Sequence, residues 1–212
     1  MRNLEIYKNI GMIIFCYFLG AIPFCYIIAK IISKKDLTKI GDKNPGGANL
    51  AFNISKFWGI IGTLLDFAKG FVSYFVVFKI TNSELVAILA SSASVAGHNY
   101  SPYLKFLGGK GTAASFGVLI AISPFTPIAY GVGFVLAAFL IRNQLWGIIF
   151  GIISSGIFLW ILKSSVLYLI LAALLIIIIV PKYINRSEGI ASNFKFHKEK
   201  RVKDAFIVAK KP

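Results

Sequence analysis

The residues best suited to chemistry lie in one short segment, residues 97–112, which combines a histidine, two lysines and four glycines. Its end, residues 108–112, reads Gly-Gly-Lys-Gly-Thr and offers flexible backbone amides beside a cation, which suits a phosphate. The Walker pattern for nucleotide binding is not met, because glycine follows Lys110. His98 could donate, accept or relay a proton near neutral pH. The alternative is an interfacial histidine, with lysines that only anchor the chain at a membrane surface.

A second candidate segment, residues 41–49, reads Gly-Asp-Lys-Asn-Pro-Gly-Gly-Ala-Asn. Small residues let backbone amides approach an anion closely, and Asn44 and Asn49 add amide donors. A plain turn explains the same composition, because Asn-Pro and Gly-Gly are common in turns. Asp42 would repel a phosphate unless its neighbour Lys43 offset the charge.

A third signal is the pair of Asp66 and Lys69, which interrupts an otherwise apolar run. A spacing of three places both side chains on one helix face. Ionisable residues inside a membrane span are costly and usually face an interior or a cavity. The pair is therefore either a structural ion pair or a source of positive field near a phosphate, with Asp66 orienting Lys69.

Other kinds of catalytic site find no support in the sequence. Cys16 and Cys25 are nine residues apart on one predicted helix, too far to form a disulfide, and are interpreted as small apolar side chains. The spacing of histidines, cysteines and carboxylates predicts no metal site. No G-x-S-x-G motif marks a serine nucleophile, and no carboxylate pair of the glycosidase type is present.

The composition indicates that most of the chain is surrounded by lipid, including the helices that must position the candidate residues. Of 212 residues, 57% are hydrophobic, and the mean hydropathy is +0.77, whereas soluble domains contain about 45–50% apolar residues. A chain of this length predicts one domain rather than two. We expect a transmembrane domain, residues 1–181, followed by a basic cytoplasmic tail, residues 182–212. The net charge of +15 does not indicate nucleic-acid binding, because the aromatic residues lie mostly in apolar runs rather than among the basic ones.

Seven apolar runs predict an all-α membrane bundle of about seven transmembrane helices. The runs are residues 11–32, 57–80, 84–97, 113–122, 125–141, 145–162 and 166–180. The fourth run is too short to cross a hydrocarbon core of about 30 Å and predicts a half-helix. Pro23 predicts a kink in the first helix, and Pro181 predicts the end of the last.

The basic residues predict that the N-terminus lies outside and the C-terminus inside. In this orientation, residues 33–56, residues 98–112, Arg142 and the tail place 17 lysines and arginines on one side of the membrane, against 4 on the other. Positive charge prefers the cytoplasm. We therefore expect a multi-pass protein of the inner (cytoplasmic) membrane with both candidate phosphate segments on the cytoplasmic side.

At these residues the chain resembles the bacterial acyl-phosphate-dependent glycerol-3-phosphate acyltransferases. The matching stretches, in chain order, are residues 20–24, Tyr26, 41–49, 64–70, 97–113 and 123–124. The match is strongest over residues 97–113, where a Gly-His pair precedes the glycine–lysine stretch. The later helices match only in hydrophobicity and number.

The resemblance implies a seven-span enzyme that transfers an acyl group from acyl phosphate to the 1-hydroxyl of glycerol 3-phosphate. The products would be lysophosphatidate and phosphate, without a metal, coenzyme A or other cofactor, and membrane lipids would surround the protein. Together with the residue types, it predicts His98 and Lys110 as catalytic residues. The predicted substrate-binding residues are Asp42, Asn44, Gly46, Asn49, Asp66, Lys69, Lys105, Gly108, Gly109, Gly111 and Asn185.

The chain departs from the family pattern in two of its three functional segments. Asp42 stands where the family has serine, and Phe52 stands where an arginine is expected. A third segment after the last span is represented only by Asn185. Two alternatives therefore stay open: a diverged paralogue with another phosphorylated acceptor, and a non-enzymatic membrane anion carrier.

Overall fold

A computed structural model describes residues 2–184 of the chain, and in this part every regular element is helical. The α-helices are α1 Arg2–Ala21, α2 Phe24–Ser33, α3 Gly47–Asn53, α4 Lys56–Thr81, α5 Glu84–Asn99, α6 Thr112–Ile122, α7 Thr126–Ile141, α8 Gln144–Lys163 and α9 Leu167–Ile184. A single 3₁₀ turn, Pro102–Leu104, lies between α5 and α6. The all-α prediction is confirmed.

Four segments of the described chain are long and apolar enough to cross a membrane. They are α1 and α2 taken together, α4, α8 and α9. The helices between them are shorter: α5 and α7 have 16 residues each and α6 has 11. At 1.5 Å per residue, α6 covers only about half of a hydrocarbon core, as its short apolar run predicted.

The first apolar run contains a break at the predicted place. Helix α1 ends at Ala21, and α2 begins at Phe24, immediately after Pro23. Proline lacks the N–H group that would continue the hydrogen-bond ladder. Because Ile22 lies in this break and not in a continuous helix, its carbonyl can accept a hydrogen bond from a side chain of another helix.

One predicted helix end, at Pro181, is wrong, and one short helix was not predicted. The polar segment before α4 contains this helix, α3, which begins at Gly47 within the candidate segment 41–49. Helix α9 continues past Pro181 to Ile184. A proline removes only one ladder bond, and Lys182 holds the extra turn: its Nζ donates to the Phe106 carbonyl at 2.9 Å and lies 4.3 Å from the Tyr100 ring centroid.

Glycines allow the helices that carry the candidate residues to pack with their backbones close together. A Cβ atom on Gly97 of α5 would overlap the Tyr17 carbonyl of α1. A Cβ atom on Gly70 of α4 would likewise overlap the Ala114 carbonyl of α6. Small residues serve this purpose in membrane bundles, where close van der Waals packing drives helix association. These contacts hold α5 against α1 and α4 against α6.

Candidate active site

Three ionisable side chains form a buried cluster between α4 and α5, which we call the triad: Asp66, Lys69 and His98. The Lys69 Nζ lies 2.9 Å from Asp66 Oδ1, and the side chains are 2% and 4% exposed, respectively. The His98 Nδ1 lies 3.4 Å from the same oxygen. Burial of this kind requires every charge to have a partner. The ion-pair interpretation of Asp66 and Lys69 is thus seen in the structure, with His98 as an additional member.

Two groups from the first apolar run complete the surroundings of the triad. The Lys69 Nζ donates to the Ile22 carbonyl at 2.9 Å, which the break before Pro23 makes available. The Cys25 thiol donates to Asp66 Oδ2 at 3.4 Å. The interpretation of Cys25 as a small apolar side chain is therefore incomplete. The contact could not be predicted from local spacing, because Cys25 and Asp66 lie 41 positions apart in the chain.

The glycine–lysine loop, residues 108–111, is built directly on His98. The Gly109 amide donates to the His98 carbonyl at 2.9 Å. A Cβ atom on Gly109 would overlap the imidazole Nε2, and one on Gly108 would overlap the His98 carbonyl. Both ring nitrogens of His98 thus face protein groups: Nδ1 faces Asp66 and Nε2 faces the loop backbone. The geometry suits a histidine that holds the loop in shape.

The loop ends at the first turn of α6, where Gly111 is the N-cap residue with φ of 81°. This left-handed conformation favours glycine, and a Cβ atom there would overlap Asn99 Oδ1. The Asn99 side chain is fully buried and donates from Nδ2 to the Ile178 carbonyl at 2.9 Å. Asn99 therefore links the loop to α9, a connection that the sequence did not indicate.

Lys110 points away from the triad toward the other candidate segment. Its Nζ donates to Asp42 Oδ2 at 3.4 Å, and the two side chains are 16% and 28% exposed. The same ammonium group lies 5.0 Å from the centroid of the Tyr183 ring. The ammonium group that contacts the Asp42 carboxylate therefore comes from Lys110, 68 positions along the chain, in addition to any charge that the neighbouring Lys43 supplies.

The second candidate segment, residues 41–49, is braced by Asn49. Its Nδ2 lies 2.9 Å from the Leu37 carbonyl, 3.0 Å from that of Ile40 and 2.8 Å from that of Asn44. The amide of Asn49 therefore supports the backbone from inside, and the side chain is almost fully buried. These three contacts hold the backbone around Leu37, Ile40 and Asn44 in one conformation, although the composition of the segment is typical of a turn.

Asn44 and Gly46 lie together at the start of α3. The Asn44 N–H donates to Asp42 Oδ1 at 3.0 Å. The side-chain oxygen of Asn44 is buried and has no hydrogen-bond partner within residues 2–184. A Cβ atom on Gly46 would lie 3.2 Å from Asn44 Nδ2. The backbone amide of Asn44 therefore lies beside the Asp42–Lys110 contact.

Two predicted residues are not brought into this arrangement. Lys105 follows the 3₁₀ turn with φ of 52° and is exposed. Asn185 lies outside the described residues. Among the described residues, no group of three histidine, cysteine or acidic side chains is arranged to hold a metal ion.

Comparison with known proteins gives a consistent result. The family model described as "Glycerol-3-phosphate acyltransferase" matches residues 10–191. A "Glycerol-3-phosphate acyltransferase" of Endomicrobium trichonymphae is 31% identical over 191 residues, covering 86% of this chain and 96% of the relative. A "Glycerol-3-phosphate acyltransferase 2" of Thermotoga maritima is 31% identical over 161 residues, covering 74% and 82%.

A solved structure is also similar over most of its length. It is the crystal structure of PlsY, "an integral membrane glycerol 3-phosphate acyltransferase", in its glycerol 3-phosphate form. The TM-score is 0.74 at 28% sequence identity, and the match covers 88% of this chain and 93% of the PlsY chain. The same protein in its lysophosphatidic acid form matches with a TM-score of 0.72.

Proposed function

Because the chain belongs to the glycerol-3-phosphate acyltransferase family, it is a membrane enzyme that acylates glycerol 3-phosphate, and we propose that its acyl donor is an acyl phosphate. The attacking oxygen is the 1-hydroxyl of glycerol 3-phosphate. This oxygen forms a bond to the acyl carbon, and the bond from that carbon to the phosphate oxygen breaks. The products are lysophosphatidate and inorganic phosphate, and the hydroxyl proton leaves with the phosphate.

The observation that carries the proposal is the contact between Lys110 and Asp42. It joins the glycine–lysine loop to the segment 41–49 at one ammonium group. Both substrates carry a phosphate, and amides beside a cation suit such a group. Lys110 offsets the charge that develops on the departing phosphate.

In this proposal the remaining site residues divide by what they contact. Gly108 and Gly111 leave the loop backbone open to a phosphate, and Gly109 ties the loop to the His98 carbonyl behind it. Asp66 and Lys69 act through His98, because they are buried beneath it.

On the other side of the ammonium group, Asn44 and Gly46 contribute polar groups near the acceptor. Asn49 braces their backbone from within. Lys105 adds to the positive field at the surface. Because an acyl phosphate is already activated, correct positioning of the two substrates supplies much of the rate.

We further propose seven spans with the N-terminus outside and the site at the cytoplasmic face of the inner membrane. The excess of basic residues on one side supports this orientation. Single-cysteine labelling in sealed membrane vesicles tests it, after replacement of Cys16 and Cys25. Lys43→Cys should react only with reagent on the cytoplasmic side, and Lys163→Cys only with reagent on the opposite side. The reverse pattern would contradict the orientation.

The function is tested with purified protein in lipid, palmitoyl phosphate and glycerol 3-phosphate, following phosphate release and lysophosphatidate formation. Turnover with palmitoyl phosphate, and none with palmitoyl-coenzyme A, is expected. Turnover with the coenzyme A ester alone would contradict the proposed donor.

A second candidate is the same acyl transfer to a different phosphorylated acceptor. The carboxylate of Asp42 beside Lys110 favours it, because a negative charge at this position changes which acceptor binds well. Turnover of palmitoyl phosphate with another phosphorylated alcohol, and none with glycerol 3-phosphate, would support this candidate.

A further inference from the structure

The ammonium group of Lys110 is already occupied in this structure. Asp42 Oδ2 accepts its hydrogen bond at 3.4 Å, and the Tyr183 ring faces it with the centroid at 5.0 Å. A phosphate that binds Lys110 through a charge-assisted hydrogen bond must therefore compete with a carboxylate for the same donor.

The carboxylate is held in place by a second contact. Asp42 Oδ1 accepts the backbone N–H of Asn44 at 3.0 Å, so the side chain is fixed toward the loop by its own segment. A phosphate next to Lys110 therefore also meets the negative charge of Asp42 at short range, unless the lysine moves away from it.

The exposure of the pair allows such an exchange. The side chains of Lys110 and Asp42 are 16% and 28% exposed, so water and solutes reach both. Partly exposed ion pairs contribute little free energy and separate readily. The buried triad has no comparable access, since Asp66 and Lys69 are 4% and 2% exposed.

We propose that Asp42 sets the affinity of this site for phosphate by acting as an internal competitor for Lys110. The inference rests on the proposed function, in which Lys110 binds a substrate phosphate. It makes Asp42 a specificity-determining residue: weakly binding phosphates fail to displace it, whereas a substrate with additional contacts succeeds.

Asp42→Asn is the variant that tests the proposal, because it removes the charge and keeps an oxygen for the Asn44 amide. We expect the KM for the substrate whose phosphate Lys110 holds to fall about three- to tenfold, with a matching gain in the potency of inorganic phosphate as an inhibitor. Isothermal titration with inorganic phosphate measures the same gain without turnover.

Asp36→Asn is the matched control. Asp36 lies in the same polar segment and carries the same charge, but it contacts Thr38 and Lys30 rather than Lys110. A general field effect would change phosphate affinity equally in both variants. In the Lys110→Ala background, Asp42→Asn should give no gain, because there is no ammonium group left to release.

The outcomes separate this inference from the proposed function. If the parent protein does not turn over palmitoyl phosphate, the proposed acyl donor is wrong, and phosphate titration of Asp42→Asn still decides the role of Asp42. If the parent is active but Asp42→Asn leaves the KM values and phosphate affinity unchanged, or equals Asp36→Asn, the competitor role is wrong. Weaker phosphate binding in Asp42→Asn would also overturn it, since Asp42 would then support the site.

Discussion

Two charged clusters of this protein use the same pairing of lysine and aspartate in different surroundings. In the triad, Asp66 and Lys69 are almost fully buried on α4 and enclosed by groups from α2, from α5 and from the break between α1 and α2. In the other pair, Asp42 and Lys110 come from two loops and are partly exposed. The separations differ accordingly, 2.9 Å in the triad and 3.4 Å in the pair.

The difference shows how burial decides what an ion pair can do. A buried charge that loses its partner has no water to replace it, so the triad is held together, and in the proposed function it positions the loop. A partly exposed charge can exchange its partner for a solute at little cost. In the proposed function, only the second pair therefore contacts a substrate, and the first supports the loop that carries Lys110.

Asp66→Ala gives the largest expected effect on stability. It leaves the buried ammonium group of Lys69 without its carboxylate and removes the partner of His98 Nδ1. We expect a loss of about 3–5 kcal/mol in the free energy of unfolding. Thermal unfolding of purified protein in lipid or detergent measures it.

Asp42→Ala is the matched control for this comparison. It removes a carboxylate from the partly exposed pair, and we expect its stability to change by less than about 1 kcal/mol. Equal losses in Asp66→Ala and Asp42→Ala would contradict the distinction between the two clusters.

Lys110→Ala gives the largest expected effect on activity with little change in stability. It removes the cation beside the departing phosphate, and we expect kcat to fall about 100- to 1000-fold. Lys79→Ala removes the same charge near the far end of α4, where Lys79 lies over the Phe75 ring, and should leave kcat within about twofold of the parent. Similar losses in both variants would mean that net charge, rather than the position of Lys110, supports turnover.

The helices of this fold were largely predictable because their signals are local. The apolar run 57–80 became α4, Lys56–Thr81, and the run 145–162 became α8, Gln144–Lys163. Polar residues such as Ser55, which caps α4 by accepting the Trp58 N–H, mark the ends in the sequence itself. A membrane segment also leaves few alternatives to a helix, because each backbone group must be satisfied internally.

The candidate site was predictable only in its residue types. The sequence indicated that His98, Lys110 and the glycines belong together, because they share one short segment. It did not indicate that Asp42 meets Lys110, or that Asn99 reaches α9, since these contacts join residues 68 and 79 positions apart. Such pairs depend on how helices pack, which no local spacing encodes.

Gly109→Ala tests whether His98 acts through the loop. The added Cβ would overlap the imidazole Nε2, so the loop or the ring must shift. A displacement of about 1 Å near a reacting centre costs on the order of 100-fold in rate. We expect kcat to fall by about 10- to 100-fold, measured with the same phosphate-release assay, with a loss of about 1–3 kcal/mol in the free energy of unfolding.

Two further variants separate a specific clash from a general effect. Gly131→Ala adds a methyl group on α7, where no atom lies within 4 Å, and should leave kcat unchanged. Combining Gly109→Ala with His98→Ala removes the clash, so the double variant should be no slower than His98→Ala alone. Additive losses in the double variant would show that the loop does not depend on the ring.

Cys25 gives the smallest expected effect and the most sensitive test of how the triad is enclosed. Its thiol donates to Asp66 Oδ2, so Cys25→Ala should lower the free energy of unfolding by about 1–2 kcal/mol, and Cys25→Ser, which keeps a donor, should lose less. Cys16→Ala is the control, because Cys16 is also buried but its thiol faces Ser73 rather than a carboxylate. If Cys25→Ala and Cys16→Ala lose the same stability and Cys25→Ser gives no recovery, the thiol only fills space. A larger loss in Cys25→Ala would show that even a weak donor matters to a carboxylate that water cannot reach.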